Sequence, residues 1–354
     1  MPFRFRGASG ITISMATCAA LYTHLQGSPG ARAEQKSTNS RDKWAPPRLK
    51  CPESPSVYVG AAGKDLVYST ATIKGKRSYQ EDRYSAHAPL SENSDVMFFG
   101  VFDGHAGARC SEYVMENLGT MVDTELSNIR RNLVCAKPYA STSKNIAAKV
   151  GGNIKAREDT GNDSGYDSGE DSGIDESKPS SRDAERINVK ELEDRIAYRN
   201  AMIGACGAAL QVSFNKLDSQ FLTRATKNNW HDGACVLVAL LTEDALVVGN
   251  AGDCRAVMYR DGKAVPLSYD HKPNRLDEFQ RIKDAGGFVA WKGVWRVQGV
   301  LAISRSFGDK SLKQWVVSDA ELVDEEFSGE DSFIILATYV AHTLLPKRTT
   351  VCLH

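Results

Sequence analysis

Apolar positions follow two different spacings along this chain, and each spacing predicts a different kind of element. A helical spacing, with apolar side chains three or four positions apart, follows residues 106–107 and returns between Leu192 and Phe221. Gly204 and Gly207 interrupt the second stripe, so it fits one long helix or two shorter ones. Both stretches are predicted to be helices that pack one face on a core.

Continuous apolar runs predict the strands. Residues 236–241 and 245–249 are apolar and are separated by a short polar segment, as in a hairpin. Residues 256–259 and 264–267 flank Asp261-Gly262, a pair that favours a tight hairpin turn. Because helices and hairpins follow one another in blocks, rather than alternating one strand with one helix, the predicted fold class is α+β.

Two stretches lack either pattern. Residues 1–60 contain several prolines and no sustained periodicity, which indicates a leader and linker. Their first part carries no acid and ends in Ala31-Arg32-Ala33, so it fits either a secretory or organelle targeting peptide or an unstructured arm. Residues 138–183 are rich in Gly, Ser, Asp and Glu and poor in aromatic residues, which predicts a disordered acidic insert.

Composition and charge narrow the classes of function. Hydrophobic residues make up 42% of the chain and charged residues 25%, as in ordinary globular proteins. The 44 basic and 44 acidic residues cancel, which argues against nucleic acid or a membrane surface as a partner. The eight cysteines form no C-x-x-C pair, which favours a reducing compartment, the cytoplasm or nucleus. No apolar run has the roughly 18 residues of a membrane span.

The main chemical signal lies at the end of the apolar run 98–102, where Asp103, Gly104 and His105 follow. An acid at the end of a rigid strand can reach a metal ion, and a glycine leaves its carbonyl oxygen accessible as a further ligand. The same Asp-Gly pair is also common in simple turns. The pair alone therefore leaves both interpretations open.

Acids recur elsewhere near predicted strand ends. Arg77 and Glu81 would share one face of an extended strand, where the guanidinium could bind a phosphate and the carboxylate a metal; a surface ion pair is the alternative. Asp253 and Asp309 each follow a glycine. Acids beside glycines are typical of the oxygen ligands of a hard cation, and the sequence has no His and Cys cluster suited to zinc.

These segments occur in the order found in the metal-dependent Ser/Thr protein phosphatases of type 2C, and the chain resembles that family from about residue 62 to residue 337. The segments that carry the resemblance are residues 77–82, 102–107, 250–255, 267–273, 286–289 and 296–309. The resemblance implies a phosphatase domain over residues 61–339. Its expected fold is a central antiparallel β-sandwich flanked by α-helices, in α-β-β-α layers, with the C-terminal part missing.

The resemblance also implies a set of metal ligands for Mg²⁺ or Mn²⁺, two ions per site. Asp103 would bridge the two ions, Gly104 would lend its carbonyl, and Glu81 would ligate one ion. Asp82 is expected beside Glu81, outside the direct ligands. Asp253 resembles the acid of a third, weaker metal position.

Two further residues gain catalytic roles through the resemblance. Arg77 would bind the substrate phosphate, and His105 would protonate the leaving Ser or Thr oxygen. The implied reaction is hydrolysis of phosphoserine and phosphothreonine in proteins by a water that the two ions activate. The implied partners are phosphoprotein substrates.

The resemblance breaks after the last apolar run, residues 333–337. The family continues there with Ser-Asp-Gly, whose Asp is a metal ligand, whereas Tyr339 stands at that position here. A later Asp-Asn segment with another ligand is missing, and residues 340–354 form a divergent tail. We therefore expect a C-terminally truncated or divergent member. Two hypotheses follow, a weakly active or inactive phosphatase and a non-catalytic protein that binds phosphoproteins.

The acidic insert contains a tandem Asp-Ser-Gly repeat. Ser164, Ser168 and Ser172 each have an acid three positions later, a pattern that acidophilic kinases favour. The first repeat also resembles a phosphodegron that a ubiquitin-ligase adaptor reads. A merely solubilising acidic loop is the alternative.

Overall fold

The structure, a computed structural model, describes residues 12–17, 56–59, 65–72, 74, 78–92, 94–135 and 181–339. The chain divides into two compact units. The larger unit takes the residues up to Ile129 and those from Arg199 onward. The smaller unit runs from Arg130 to Tyr198, and its described part is the end of one helix and the beginning of another.

The described residues form three helices and fourteen strands. The helices are α1 (Arg109–Cys135), α2 (Ser181–Asn228) and α3 (Leu276–Asp284). The strands are β1 (Thr12–Thr17), β2 (Ser56–Val59), β3 (Asp65–Thr72), β4 (Arg83–His87), β5 (Met97–His105), β6 (Gly233–Leu241), β7 (Ala245–Ala251), β8 (Arg255–Arg260), β9 (Lys263–Pro266), β10 (Val289–Lys292), β11 (Val294–Val297), β12 (Phe307–Gly308), β13 (Glu321–Glu326) and β14 (Asp331–Ala337).

The strands assemble into two large sheets and one hairpin. The first sheet has the order β13-β7-β6-β5-β4, with β12 paired to β6, and all its pairs are antiparallel. The second sheet has the order β2-β3-β1-β14-β8-β9. In it β1 runs parallel to β3 and β14, and the other pairs are antiparallel. Together with the helices, these sheets confirm the predicted α+β class.

The core has two layers of apolar side chains, one on each face of β5. Because successive side chains of a strand point to opposite faces, Phe98 and Phe102 pack with α1 and α2, whereas Phe99 and Val101 pack with β8 and β14. The first sheet therefore lies between the helices and the second sheet, as the predicted sandwich requires. On the far face of β14 the apolar cluster consists of Phe333, Ile335 and Ala337, without a helical residue among those described.

The local predictions from periodicity are also confirmed. The two hairpins form as β6–β7 and β8–β9, and Asp261 and Gly262 adopt positive φ angles of 48° and 72° in the second turn. The helix behind residues 106–107 begins at Arg109. The second helical stripe is one continuous helix, α2, which Gly204 and Gly207 do not break.

The predicted segment boundaries fall largely outside the described residues. Within residues 1–60, expected to be leader and linker, the structure places the strands β1 and β2. Most of the acidic insert 138–183, including Ser164, Ser168 and Ser172, and all of the tail 340–354 lie outside the described residues, so the proposals for them stay predictions. Among the helices that the structure describes, none combines the length and apolarity needed to span a membrane.

Candidate functional site

The end of β5 carries Asp103, Gly104 and His105, which pair with Cys235, Ala234 and Gly233 of β6, whereas the pairing of β5 with β4 ends at Phe102. Gly104 allows a close approach of two segments here. A Cβ at this position would lie 2.5 Å from the carbonyl oxygen of Glu81 and 2.8 Å from Ser111 Oγ. Glycine is therefore required because the backbone at Glu81 packs directly against this end of the strand.

The turn itself lies later than the Asp-Gly pair suggests. The strand continues through His105, opposite Gly233, and the positive φ angles occur at Ala106 (56°) and Gly107 (134°). A simple turn at Asp103-Gly104, one of the two interpretations of this pair, is thus not what the structure shows. The chain reverses two residues later, and Gly104 serves the packing of the strand.

Glu81 and Asp82 lie in the segment that packs on this strand end. Glu81 Oε1 accepts a hydrogen bond from the backbone N–H of Gly107 at 2.8 Å, so its carboxylate stabilises the turn after β5. Asp82 is buried, and its Oδ2 accepts a hydrogen bond from Thr338 Oγ1 at 3.2 Å. Glu81 thus connects its segment to the turn after β5, and Asp82 connects the same segment to the residue that follows β14.

Asp103 lies close to two other acids, Asp82 and Asp253, and the three form an acidic cluster. The burial of Asp103, followed by the neighbouring negative charges of Asp82 and Asp253, raises the pKa of this carboxyl group to about 8. The charge of His105 and the backbone N–H of Tyr339, which donates to Asp103 Oδ2 at 3.2 Å, oppose that rise. Three acids this close repel one another, and a cation between them would relieve the repulsion.

His105 follows Asp103 by two positions, so the two side chains share one face of the strand end. Its Nε2 is 2.8 Å from Asp309 Oδ2, and Ser306 Oγ donates to the same carboxylate oxygen at 2.5 Å. Burial by itself lowers the pKa of His105, but the hydrogen bond and charge of Asp309, with the charges of Asp103 and Asp253, outweigh burial and raise it. The imidazole therefore retains a proton more readily than a free histidine does.

Asp253 already has two donors. Cys235 Sγ donates to its Oδ1 at 3.2 Å, and Lys272 Nζ donates to its Oδ2 at 2.5 Å. The ammonium of Lys272 also lies 3.9 Å from the ring centroid of Tyr339. Burial lowers the pKa of Lys272, and the charge of Asp253 more than compensates, so the pKa is raised.

The structure thus brings together Asp82, Asp103, Gly104, His105 and Asp253, with Glu81 at their edge. Arg77 lies outside the described residues. Within the residues that are described, no three His, Cys, Asp or Glu side chains are arranged as a group that could hold a metal ion. The chemistry of the oxygen donors and the mutual repulsion at Asp103 nevertheless fit a hard divalent cation.

Sequence reasoning missed the roles of three residues in this cluster. The sequence marks Asp309 as an acid after glycine but does not indicate its contact with His105. It indicates no role for Lys272 beyond its place in a matching segment, and for Tyr339 it indicates only the absence of an acidic ligand. For Asp309 the Gly-Asp pair was a usable signal, whereas nothing local marks Lys272 or Tyr339.

The chain is similar in sequence to proteins of one known family. The family model described as protein phosphatase 2C matches residues 173–340. A probable protein phosphatase 2C 59 of Arabidopsis thaliana is 35% identical over 271 residues, which cover 77% of this chain and 63% of the relative. A probable protein phosphatase 2C 45 of Oryza sativa subsp. japonica is 33% identical over 271 residues, which cover 77% of this chain and 70% of the relative.

A solved structure is similar over a comparable share of the chain. The serine-threonine phosphatase 2C from Toxoplasma gondii is matched over 74% of this chain and 74% of its own, at 19% identity and a TM-score of 0.49. The chain spans less than two thirds of the Arabidopsis relative's length.

Proposed function

The chain belongs to the protein phosphatase 2C family, and we propose that it hydrolyses phosphoserine and phosphothreonine in proteins with the help of Mg²⁺ or Mn²⁺. The observation that carries this proposal is the position of Asp103, a carboxyl group crowded by Asp82 and Asp253 and two positions before a histidine with a raised pKa. Such a cluster combines cation ligands with a proton donor at one strand end.

The divalent cation would be held by the Asp103 carboxylate and the carbonyl oxygen of Gly104, with Glu81 and Asp82 beside them. When bound, it would lower the pKa of a water molecule and offset charge on the phosphoryl group. The residues of the chain position this site. The hydrogen bond from Gly107 to Glu81 and that from Thr338 to Asp82 fix the two neighbouring carboxylates.

His105 is proposed as the proton donor to the leaving Ser or Thr oxygen. A general acid works best when it is protonated near the working pH, and the raised pKa of His105 meets this condition. Asp309 holds the imidazole by its hydrogen bond to Nε2 and is therefore a positioning residue. Arg77 is proposed to bind the substrate phosphate through its planar guanidinium.

Turnover of a phosphothreonine peptide by the purified chain, in the presence of excess Mn²⁺, tests this function. We expect phosphate release that Asp103→Asn abolishes and that His105→Gln reduces by roughly a hundredfold. Release that persists unchanged in Asp103→Asn would contradict the proposal. Replacement of Asp123, which lies on α1 and accepts a hydrogen bond from Ser91, by Asn provides a control that should leave turnover unchanged.

A second candidate function is binding of phosphoproteins without hydrolysis. The contact of Lys272 with Asp253 favours it, because an ammonium on a carboxylate of the cluster weakens that carboxylate as a cation ligand. Calorimetry with the same peptide distinguishes the two. Binding that needs Mn²⁺, without any phosphate release, would support the binding function and overturn the catalytic one.

A further inference from the structure

A recess of about 330 Å³ lies beside the turn that follows β5. Its lining residues come from the segment before β4, from the turn and from the start of α1: Tyr79, Ala106, Gly107, Ala108, Arg109 and Glu112. The turn continues directly from His105, and Tyr79 precedes Glu81 by two positions. The recess therefore adjoins the candidate site without containing its acidic cluster.

Arg109 exposes the only positive charge among these lining residues. Its side chain is 57% exposed, although its Nη1 donates to both oxygens of Asp232, at 3.0 and 3.1 Å. Its guanidinium also lies 5.4 Å from the ring centroid of Trp230, close enough for a cation–π contact. Among the residues that the structure describes, none accepts a hydrogen bond from its Nε or Nη2. The edge formed by Nε and Nη2 therefore keeps two N–H donors for a ligand.

Asp232, which anchors Arg109, is itself fixed close to the proposed proton donor. It is 1% exposed, and a Cβ on Gly107 would overlap its carboxylate, so it packs directly against the turn. Its carbonyl oxygen accepts a hydrogen bond from the backbone N–H of Asp309, whose carboxylate contacts His105. The position of the Arg109 guanidinium is thereby coupled to that of His105.

The acids around the recess do not oppose an anionic ligand as strongly as their number suggests. Glu112 Oε1 accepts a hydrogen bond from Arg83 Nη2 at 2.5 Å, so a positive charge of the chain offsets this carboxylate. Asp232 is buried beneath Arg109, and a ligand therefore meets the guanidinium rather than the acid. A planar edge with two N–H groups matches the two oxygens of a carboxylate.

We propose that this recess binds an acidic side chain of the phosphoprotein substrate, an Asp or Glu within four positions of the phosphorylated residue, through the free edge of Arg109. The proposal rests on the proposed function and specifies its substrate class, phosphopeptides with an acid near the phosphate. Four positions separate His105 from Arg109, a separation of at most about 14 Å that four extended peptide residues also span. The exposed ring of Tyr79 offers an apolar surface for the aliphatic part of the bound side chain.

Binding of fluorescein-labelled phosphonate analogues of a phosphothreonine peptide to the full chain in Mn²⁺ tests the proposal, because such analogues resist hydrolysis. One peptide has alanine at every flanking position, and the others carry a single Asp at one of the four positions on either side. We expect fluorescence anisotropy to show roughly three- to tenfold tighter binding for Asp at one or more of these positions. An Asp that improves binding at none of them would overturn the proposal.

Arg109→Lys should remove this preference and preserve the fold, because a single ammonium can still pair with the buried Asp232 but lacks the planar second edge. Arg109→Gln should remove it as well. Arg260→Gln is the matched control, since Arg260 is also a partly exposed arginine bound to an acid that is 1% exposed, Asp331. It should keep the full preference. A preference that survives in both Arg109 variants, with thermal unfolding verifying that they are folded, would overturn the proposal.

Phosphate release from the corresponding hydrolysable peptides keeps this proposal distinct from the catalytic one. Release together with binding that shows no preference for an acid contradicts the role of the recess alone. A preference for an acid in binding, without any phosphate release, contradicts the catalytic function alone. A chain that binds none of the peptides would contradict both.

Discussion

His105 Nε2 lies 2.8 Å from Asp309 Oδ2, although 204 positions separate the two residues in the sequence. Asp309 is itself fixed, since it has a φ of 49°, accepts from Ser306 Oγ and donates its backbone N–H to the carbonyl of Asp232 at 3.2 Å. A carboxylate this constrained holds the imidazole in one orientation. The pair therefore sets both the position and the protonation of His105.

Asp309→Asn should lower the pKa of His105, because it removes the negative charge that opposes the effect of burial. A raised histidine pKa means that the imidazolium is favoured, so loss of Asp309 reduces the protonated fraction at neutral pH. We expect turnover to fall roughly ten- to a hundredfold at pH 7 and less at lower pH. An NMR titration, with the resonance assigned by its loss in His105→Gln, measures the pKa directly.

Asp123→Asn removes an acid on α1 outside the cluster and should leave the His105 titration unchanged. An Asp309→Asn variant whose His105 titrates as in the native chain would show that Asp309 does not govern the protonation of this residue.

Much of the fold was predictable because it depends on local patterns. The continuous apolar run of β5 and the Asp261-Gly262 turn predicted elements that form as expected. The position of β1, between β3 and β14 and parallel to both, was not predictable from the sequence. Thr12 of β1 pairs with Phe333, and a pairing between residues so distant in sequence leaves no local signal. Parallel strands also need no turn between them, so turn residues cannot reveal them.

The candidate site was likewise predictable only in part. Asp103 and Glu81 were found because each lies in a short motif, and the structure brings their segments together at Gly104. The contacts of Lys272 with Asp253 and Tyr339 join segments that are far apart in sequence. Only the closure of the sandwich brings these side chains together, so no spacing rule could predict them.

Gly104→Ala should destabilise the chain by about 1–3 kcal/mol, because the added Cβ would meet the Glu81 carbonyl and Ser111 Oγ. The displacement should also move the Glu81 carboxylate and lower turnover. Urea unfolding measures the loss. Gly204→Ala in α2 is the matched control, since nothing lies within 4 Å of its added Cβ, and it should stabilise the helix by up to about 1 kcal/mol. Equal stability of the two variants would contradict this role for Gly104.

Glu278 on α3 should stabilise the chain in a pH-dependent manner. Its side chain is 1% exposed, and its carboxylate accepts from Arg305 at 2.7 Å and Arg281 at 2.8 Å. Burial alone raises the pKa of this acid, but these partners, with Ser304, lower it to about 2. Because the folded pKa lies below the ordinary value, the stabilisation is complete above pH 4.5 and is lost as the pH falls toward 2.

Glu278→Gln should therefore lower the free energy of unfolding by roughly 3 kcal/mol at pH 7, and the difference from the native chain should shrink between pH 4.5 and 2. Asp277→Asn is the control. The pKa of Asp277 is also about 2, mainly through Arg275, but its side chain is 59% exposed, so solvent screening should limit the loss to below about 1 kcal/mol. A loss at Glu278 that does not change with pH would contradict the ionic origin of its contribution.

Asp103→Asn should stabilise the protein when divalent cations are removed with EDTA. The pKa of Asp103 is raised to about 8, by burial first and then by Asp82 and Asp253, so its ionisation opposes folding increasingly as the pH rises from about 4 to 8. An amide of the same shape carries no such charge. We expect urea unfolding to show that the variant is roughly 1–3 kcal/mol more stable than the native chain at pH 8 and that the difference is much smaller at pH 5.

Addition of Mn²⁺ should make the native chain the more stable of the two, because only the native carboxylate binds the ion and thereby stabilises the folded state. A variant less stable than the native chain in EDTA at both pH values would show that Asp103 is held by favourable contacts rather than crowded by its acidic neighbours.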